Sequence, residues 1–227
     1  MPGTRNSGLL ALGGIALAAV LAVLGHLEVS DDLSPWSLTV SDFAVSDRGG
    51  VIDTAMAVLA AATVVLLPAL RRAGAGRLGR ALLVAWSAGL VAAAVVPTNE
   101  PGLPMDTAAY LHRYASVVAF LALPVAGWLL ARRLGGRAAG WLRGLTLTSL
   151  LLAAAMIWSA YPGDRVLIGL AERLLILAEV ALLAVVAGTL LRREIGEVAV
   201  PRGWEHRHLV EVAVPARERE VTPARGA

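Results

Sequence analysis

Six apolar stretches, each 16 to 26 residues long, constrain the fold of this chain more than any other feature. They cover residues 8–27, 50–70, 81–96, 108–131, 145–161 and 166–191. About 20 helical residues, at 1.5 Å each, span the ~30 Å hydrocarbon core of a bilayer. A chain of 227 residues cannot bury six such stretches inside itself, so lipid must cover them. They also lack the two-residue alternation of barrel strands. We therefore predict an all-α, polytopic membrane protein with six transmembrane helices in one bundle.

The charged residues between these stretches are sorted by sign. Arginines follow the second, fourth and sixth stretches, whereas acidic residues dominate the other connections. Because Arg-rich loops remain in the cytoplasm, we predict that both termini are cytoplasmic and that the chain lies in the cell membrane. The arginines are Arg71, Arg72, Arg77, Arg80, Arg132, Arg133, Arg137, Arg143, Arg192 and Arg193.

The chain changes from apolar to polar composition after residue 193. Residues 1–193 are predicted to form the transmembrane domain, and residues 194–227 a polar, disordered cytoplasmic tail. An alternative for the first stretch is a cleaved signal peptide with Ala16-Leu17-Ala18 as its cleavage site.

Composition and motifs exclude several kinds of site. The chain has no cysteine, which removes disulfides and thiolate metal sites. All twenty basic residues are arginines, but they form no concentrated basic face with aromatic or polar readers, so no nucleic-acid partner is predicted. The sequence also lacks the H-E-x-x-H, G-x-S-x-G and glycine-rich phosphate motifs. No cofactor is predicted.

Ionisable residues within the spans are the candidate functional residues, because a charge inside a membrane is costly and faces protein or water. They are His112 and Arg113 in the fourth span, Glu172, Arg173 and Glu179 in the sixth, and Asp53 at the start of the second. We expect Arg113 to pair with Glu172, and Arg173 to pair with Asp53 or Asp164. Glu179 has no obvious cationic partner at its depth.

Three functions suit this cluster of polar residues. The leading interpretation is a non-enzymatic protein whose outer-leaflet polar cavity binds a membrane lipid or a small amphiphilic ligand. One alternative is a membrane-embedded lipid hydrolase that uses His112 with Asp53 or Asp106. Another is a small proton-linked transporter that uses Glu179. A purely structural role, in which the charges lock the helices together, is also compatible with the sequence.

A metal site would need three or more converging ligands. The candidates on the outer side are His26, Asp53, Asp106 and His112. We predict that they do not converge on one ion, and that His112 instead forms hydrogen bonds within the polar cluster around Glu172.

Several short motifs resemble one family. They are Ser41-Asp42-Phe43, Pro97-Thr98-Asn99-Glu100-Pro101-Gly102, Leu111-His112-Arg113, Ala119-Phe120-Leu121-Ala122-Leu123-Pro124 and Gly169-Leu170-Ala171-Glu172-Arg173-Leu174. From residue 9 to residue 193 the chain resembles the six-helix bacterial membrane proteins grouped as domain of unknown function 998. The resemblance implies a six-helix bundle and supplies no established activity.

Overall fold

The computed structural model describes residues 6–28, 33–46, 50–100 and 103–199, without the side chains of residues 28, 46, 194 and 196–199. This part of the chain forms seven α-helices and no strand. The helices are α1 (Ser7–Glu28), α2 (Val40–Ser46), α3 (Val51–Arg72), α4 (Arg77–Val95), α5 (Thr107–Leu134), α6 (Gly136–Ala160) and α7 (Ile168–Ala199). All except the short α2 are long and apolar enough to cross a membrane. The predicted six-span, all-α fold is confirmed.

Two helices extend well beyond the apolar stretches that predict them. The helix α6 begins at Gly136 rather than at residue 145, and α7 continues to Ala199 rather than ending at residue 191. Both extensions carry arginines, whose long side chains reach polar surroundings while the helix continues. Residues 200–227 lie outside the described part of the chain, and with them most of the predicted disordered tail.

Two helix boundaries follow from local chemistry. Asp106 caps α5, because its carboxylate accepts a hydrogen bond of 2.8 Å from the Ala109 N–H. Gly135 separates α5 from α6 at φ 66°, a left-handed conformation that glycine adopts without steric cost.

Small residues allow the long helices to pack closely. A methyl group added at Gly89 of α4 would lie 2.7 Å from the backbone oxygen of Ala115 on α5. One added at Gly127 of α5 would lie 2.6 Å from Leu182 of α7. Such close approach is typical of membrane helices, whose association depends on van der Waals packing.

The outer surface of the bundle is apolar. Leu10, Val84 and Leu151 are 62%, 49% and 71% exposed, and many other large apolar side chains point outward in the same way. Exposing so continuous an apolar surface to water would be unfavourable, whereas the hydrocarbon of a bilayer can cover it. The helices run between two ends of the bundle, which we call the α2 end, where α2 lies, and the arginine end, which holds the arginine-rich connections.

Candidate functional site

Residues 33–46, which include α2 and which we call the docked loop, lie against the first two turns of α7. The Glu172 carboxylate accepts a hydrogen bond from the Val40 N–H, at the start of α2. The Gly169 N–H donates to the Trp36 carbonyl at 3.0 Å. A side chain at Gly169 would collide with the carbonyl oxygens of Pro35 and Leu38, so glycine permits this contact. The docked loop is thus held through its backbone.

Arg173 binds the same loop from the neighbouring position on α7. Its Nη1 donates to the carbonyls of Pro35 and Leu38 at 2.8 and 2.9 Å. Its guanidinium carbon lies 4.8 Å from the centre of the Phe43 ring, which stacks on His26 at 5.0 Å. The Nη2 atom of Arg173 is buried without a hydrogen-bond partner.

His112 joins three segments of the chain at the α2 end. It is 6% exposed, and its Nδ1 lies 2.8 Å from the carbonyl oxygen of Val96, just after α4. Its Nε2 lies 3.0 Å from the hydroxyl oxygen of Ser41 in α2. His112 and Glu172 thus bind neighbouring positions of the docked loop, Ser41 and Val40.

The docked loop also has internal order. The hydroxyl of Thr39 accepts a hydrogen bond from the Asp42 N–H, and the Asp42 carboxylate accepts one from the Thr39 N–H. This reciprocal pair is a capping box at the start of α2. The same carboxylate forms a salt bridge of 3.2 Å with Arg165, which precedes α7. The cap thus fixes the direction of α2, and the salt bridge ties it to the connection before α7.

The ion pairs expected from the sequence are not formed. Within the described residues the one salt bridge joins Arg165 to Asp42, so Arg113 does not pair with Glu172, nor Arg173 with Asp53 or Asp164. Arg113 is exposed on the outside of α5, and Asp53 lies in the first turn of α3. The expectation failed because it sought partners among charged side chains only. The partners of Glu172 and Arg173 are instead backbone N–H and C=O groups of the docked loop.

Glu179 lies apart from this cluster, near the middle of its span. It is 3% exposed, and its Oε2 accepts a long hydrogen bond of 3.4 Å from the Trp86 indole. Its Oε1 is buried without a hydrogen-bond partner. Within the part of the chain that the structure describes, no group of three or more His, Asp or Glu side chains is arranged to hold a metal ion.

Two grooves open at the arginine end. The larger, about 620 Å³, lies between α6 and α7, and we call it the α6–α7 groove. It is lined by Arg137, Ala138, Trp141, Leu145, Ala181, Ala184, Val185, Gly188, Thr189 and Arg192. The second, about 500 Å³, lies beside the connection between α3 and α4 and the end of α5. The sequence did not predict either groove, because each forms between residues distant along the chain.

We call the residues that hold the docked loop at the α2 end the α2-end cluster; it contains His112, Glu172, Arg173, Ser41, Phe43 and Gly169. Sequence reasoning missed the last three of them. Each of them belongs to a motif that carried the family resemblance, and that was the available signal. Their roles depend on contacts across 71 to 133 positions of the chain, which no local pattern encodes.

Comparison with known proteins agrees with the architecture. Residues 11–189 match the family model described as "Protein of unknown function (DUF998)", and neither a curated protein nor a solved structure matches the chain. The match covers most of the chain, with the second to fifth membrane-spanning helices complete and most of the first and the sixth. The chain therefore belongs to the DUF998 family of proteins of unknown function.

Proposed function

We propose that this membrane protein binds an anionic phospholipid, and that the α6–α7 groove is the site. The observation that carries the proposal is a groove of about 620 Å³ with two arginines at one end and an apolar floor. The sequence favoured a lipid or amphiphile site at the α2 end. There, however, His112, Glu172 and Arg173 already bind the docked loop.

The dimensions of the groove suit one phospholipid leaflet. From Arg192 to Ala181 it follows α7 over eleven residues, or about 16 Å of helix. This is about half of the ~30 Å hydrocarbon thickness. Ala181, Ala184 and Gly188 provide a shallow floor, so an acyl chain can lie along the helix while its headgroup stays near Arg192.

The charge at the mouth determines the class of lipid. Arg137 and Arg192 are exposed at the two sides of the groove, and the guanidinium group binds phosphate oxygens in a bidentate manner. Trp141 is 66% exposed beside them, as expected of an indole at the level of the headgroups. Basic grooves between transmembrane helices are typical sites for anionic headgroups.

The groove opens at the end of the bundle that carries most of the arginines. The arginine-rich connections support placing the arginine end, and with it both termini, on the cytoplasmic side of the cell membrane. The bound lipid then comes from the cytoplasmic leaflet, where anionic headgroups and exposed arginines attract each other.

Native mass spectrometry of the purified protein tests the proposal, with phosphatidylglycerol and phosphatidylcholine as probes. We expect a stoichiometric adduct with phosphatidylglycerol that is stronger than with phosphatidylcholine and weakens as salt rises. Replacing both Arg137 and Arg192 by Gln should weaken phosphatidylglycerol binding about 30-fold, at roughly 1 kcal/mol for each charge. The Arg143→Gln variant removes the same charge from an exposed site of α6 outside the groove and should bind as the wild type does.

A second pair of variants separates the groove from its charge. A side chain added at Gly188 would meet no atom within 4 Å, so Gly188→Leu fills the groove without straining the helix. We expect it to abolish the adduct, whereas Gly144→Leu, at an equally open glycine of α6, should retain it. Equal binding of both lipids, or full binding by Gly188→Leu, would contradict the proposal.

A further inference from the structure

The hydrogen bonds of His112 define the direction of its bond to Ser41. The Val96 carbonyl oxygen can only accept a hydrogen bond, so Nδ1 of a neutral His112 carries the proton. Nε2 then has a free lone pair, and the Ser41 hydroxyl must donate to it at 3.0 Å. An imidazole that is oriented by a third group and accepts a hydrogen bond from a serine is the arrangement that activates a serine nucleophile.

Other hydroxyl groups in the protein have a different partner. The hydroxyls of Thr63, Ser87, Ser116, Thr146 and Ser159 all donate to backbone carbonyl oxygens. Such bonds satisfy a buried hydroxyl and leave it inert. The bond of Ser41 differs from these five, because its acceptor is the His112 imidazole, which can take up a proton.

Both members of the pair are held in place. His112 is fixed by α5 and by the Val96 carbonyl, and Ser41 by the capping box of α2 and the bond from Val40 to Glu172. Ser41 is half-buried, so part of the residue remains accessible. The α2-end cluster also contains Arg173, whose Nη2 is buried without a hydrogen-bond partner.

The surroundings of the pair suit a lipid-like substrate. The α2 end carries the exposed aromatic side chains Trp36, Tyr110 and Tyr161, which are 57%, 49% and 74% exposed. Aromatic side chains of this kind collect at the boundary between headgroups and hydrocarbon. The ester groups that join acyl chains to a lipid headgroup lie at the same boundary.

We infer that Ser41 and His112 form a nucleophile–base pair that cleaves a carboxylic ester of a membrane lipid. The Ser41 oxygen bonds to the acyl carbon while its proton passes to Nε2 of His112. The ester C–O bond then breaks, and the leaving alcohol takes that proton. Water attacks the acyl-serine in the same way, which releases the fatty acid and restores the serine. This activity is independent of the α6–α7 groove.

A fluorophosphonate probe tests the inference, because it forms an O–P bond with an activated serine as the P–F bond breaks. We expect the folded wild-type protein in detergent to be labelled once, at Ser41, and the Ser41→Ala variant to remain unlabelled. Ser37→Ala, which removes an exposed hydroxyl of the same loop, should leave labelling unchanged. His112→Gln retains hydrogen-bonding groups but no base, and should slow labelling at least about 100-fold.

A second measurement replaces the Ser41 hydroxyl by a thiol. The chain has no cysteine, so Ser41→Cys introduces a single thiol, which the neighbouring imidazole should activate. Alkylation of that thiol should slow when His112→Gln is added. Absence of labelling in folded wild-type protein, labelling of Ser41→Ala, or equal alkylation with and without His112 would overturn the inference. A structural hydrogen bond alone predicts the first and the third of these results, whereas labelling of Ser41→Ala would mean that another residue is the nucleophile.

Discussion

Arg173 provides the sharpest test of how the docked loop is held. The Arg173→Met variant keeps a long apolar side chain but removes the donors to the carbonyls of Pro35 and Leu38. A buried acceptor that loses its partner costs about 1–3 kcal/mol. The Pro35 contact is exposed and lies at the lower end of this range, whereas the Leu38 contact is partly buried. We expect docking to weaken by about 3 kcal/mol, which is more than 100-fold in the docking equilibrium.

A buried reporter under the loop measures that equilibrium. Ile52 is 1% exposed and packs against Phe43 of the docked loop. Because the chain has no other cysteine, Ile52→Cys carries a single thiol that is reached when the loop lifts. If lifting and closing are fast, the alkylation rate follows the open fraction. Arg173→Met should therefore raise the alkylation rate of this thiol by about 100-fold.

Arg113→Met is the matched control. It removes a guanidinium from the same end of the bundle, but Arg113 is exposed on α5 and its side chain does not form a salt bridge with any described residue. When Arg113→Met is added to Ile52→Cys, the alkylation rate of the thiol should stay within about twofold of the rate in Ile52→Cys alone. A change of less than about threefold in Arg173→Met would refute the reasoning, since it would mean that other contacts hold the loop.

Three further predictions concern the bundle itself. Trp86→Phe removes the donor to the buried Glu179 carboxylate and should lower the free energy of unfolding by about 1–3 kcal/mol. Chemical unfolding in detergent measures this loss, and an unchanged free energy of unfolding would argue against the contact. Gly89→Ala should separate α4 from α5 and cost about 1–3 kcal/mol, whereas Gly144→Ala, at an open position, should not lower the melting temperature. A reporter fused after Arg193 should be cytoplasmic and one in the docked loop outside, and the reverse result would invert the proposed topology.

The membrane-spanning architecture was predictable because its causes are local. An apolar run of about 20 residues specifies a transmembrane helix whatever its neighbours are, because the backbone must satisfy its own hydrogen bonds in lipid. The cap of α5 at Asp106 has a local cause as well, since its acceptor and donor are three residues apart. The start of α6 was missed because helical backbone continues into the polar boundary, where hydropathy no longer reports it.

The α2-end cluster was predictable only in part. His112, Glu172 and Arg173 stand out because ionisable residues are rare in spans, and the structure brings all three to the docked loop. Their partners were not predictable. Every residue carries a backbone N–H and C=O, so the sequence does not mark Val40 or Leu38 as the group that a charged side chain will bind.

The consecutive placement of Glu172 and Arg173 accounts for the docking and links it to the inferred chemistry. A loop at the membrane boundary presents both N–H and C=O groups that need partners. Glu172 accepts a hydrogen bond from an N–H of the loop, and Arg173 donates hydrogen bonds to its carbonyls. Two adjacent residues of opposite charge therefore satisfy both kinds of backbone group. Ser41 follows directly after the position that Glu172 binds, and docking therefore brings its hydroxyl to His112. If the pair is a nucleophile and its base, Ser41 should be labelled only while the loop is docked. Fluorophosphonate labelling of Arg173→Met should therefore fall in proportion to the fraction of protein whose loop has lifted, although Ser41 and His112 are both still present. Full labelling of Ser41 in protein whose loop has lifted would show that its reactivity does not arise from the bond to His112.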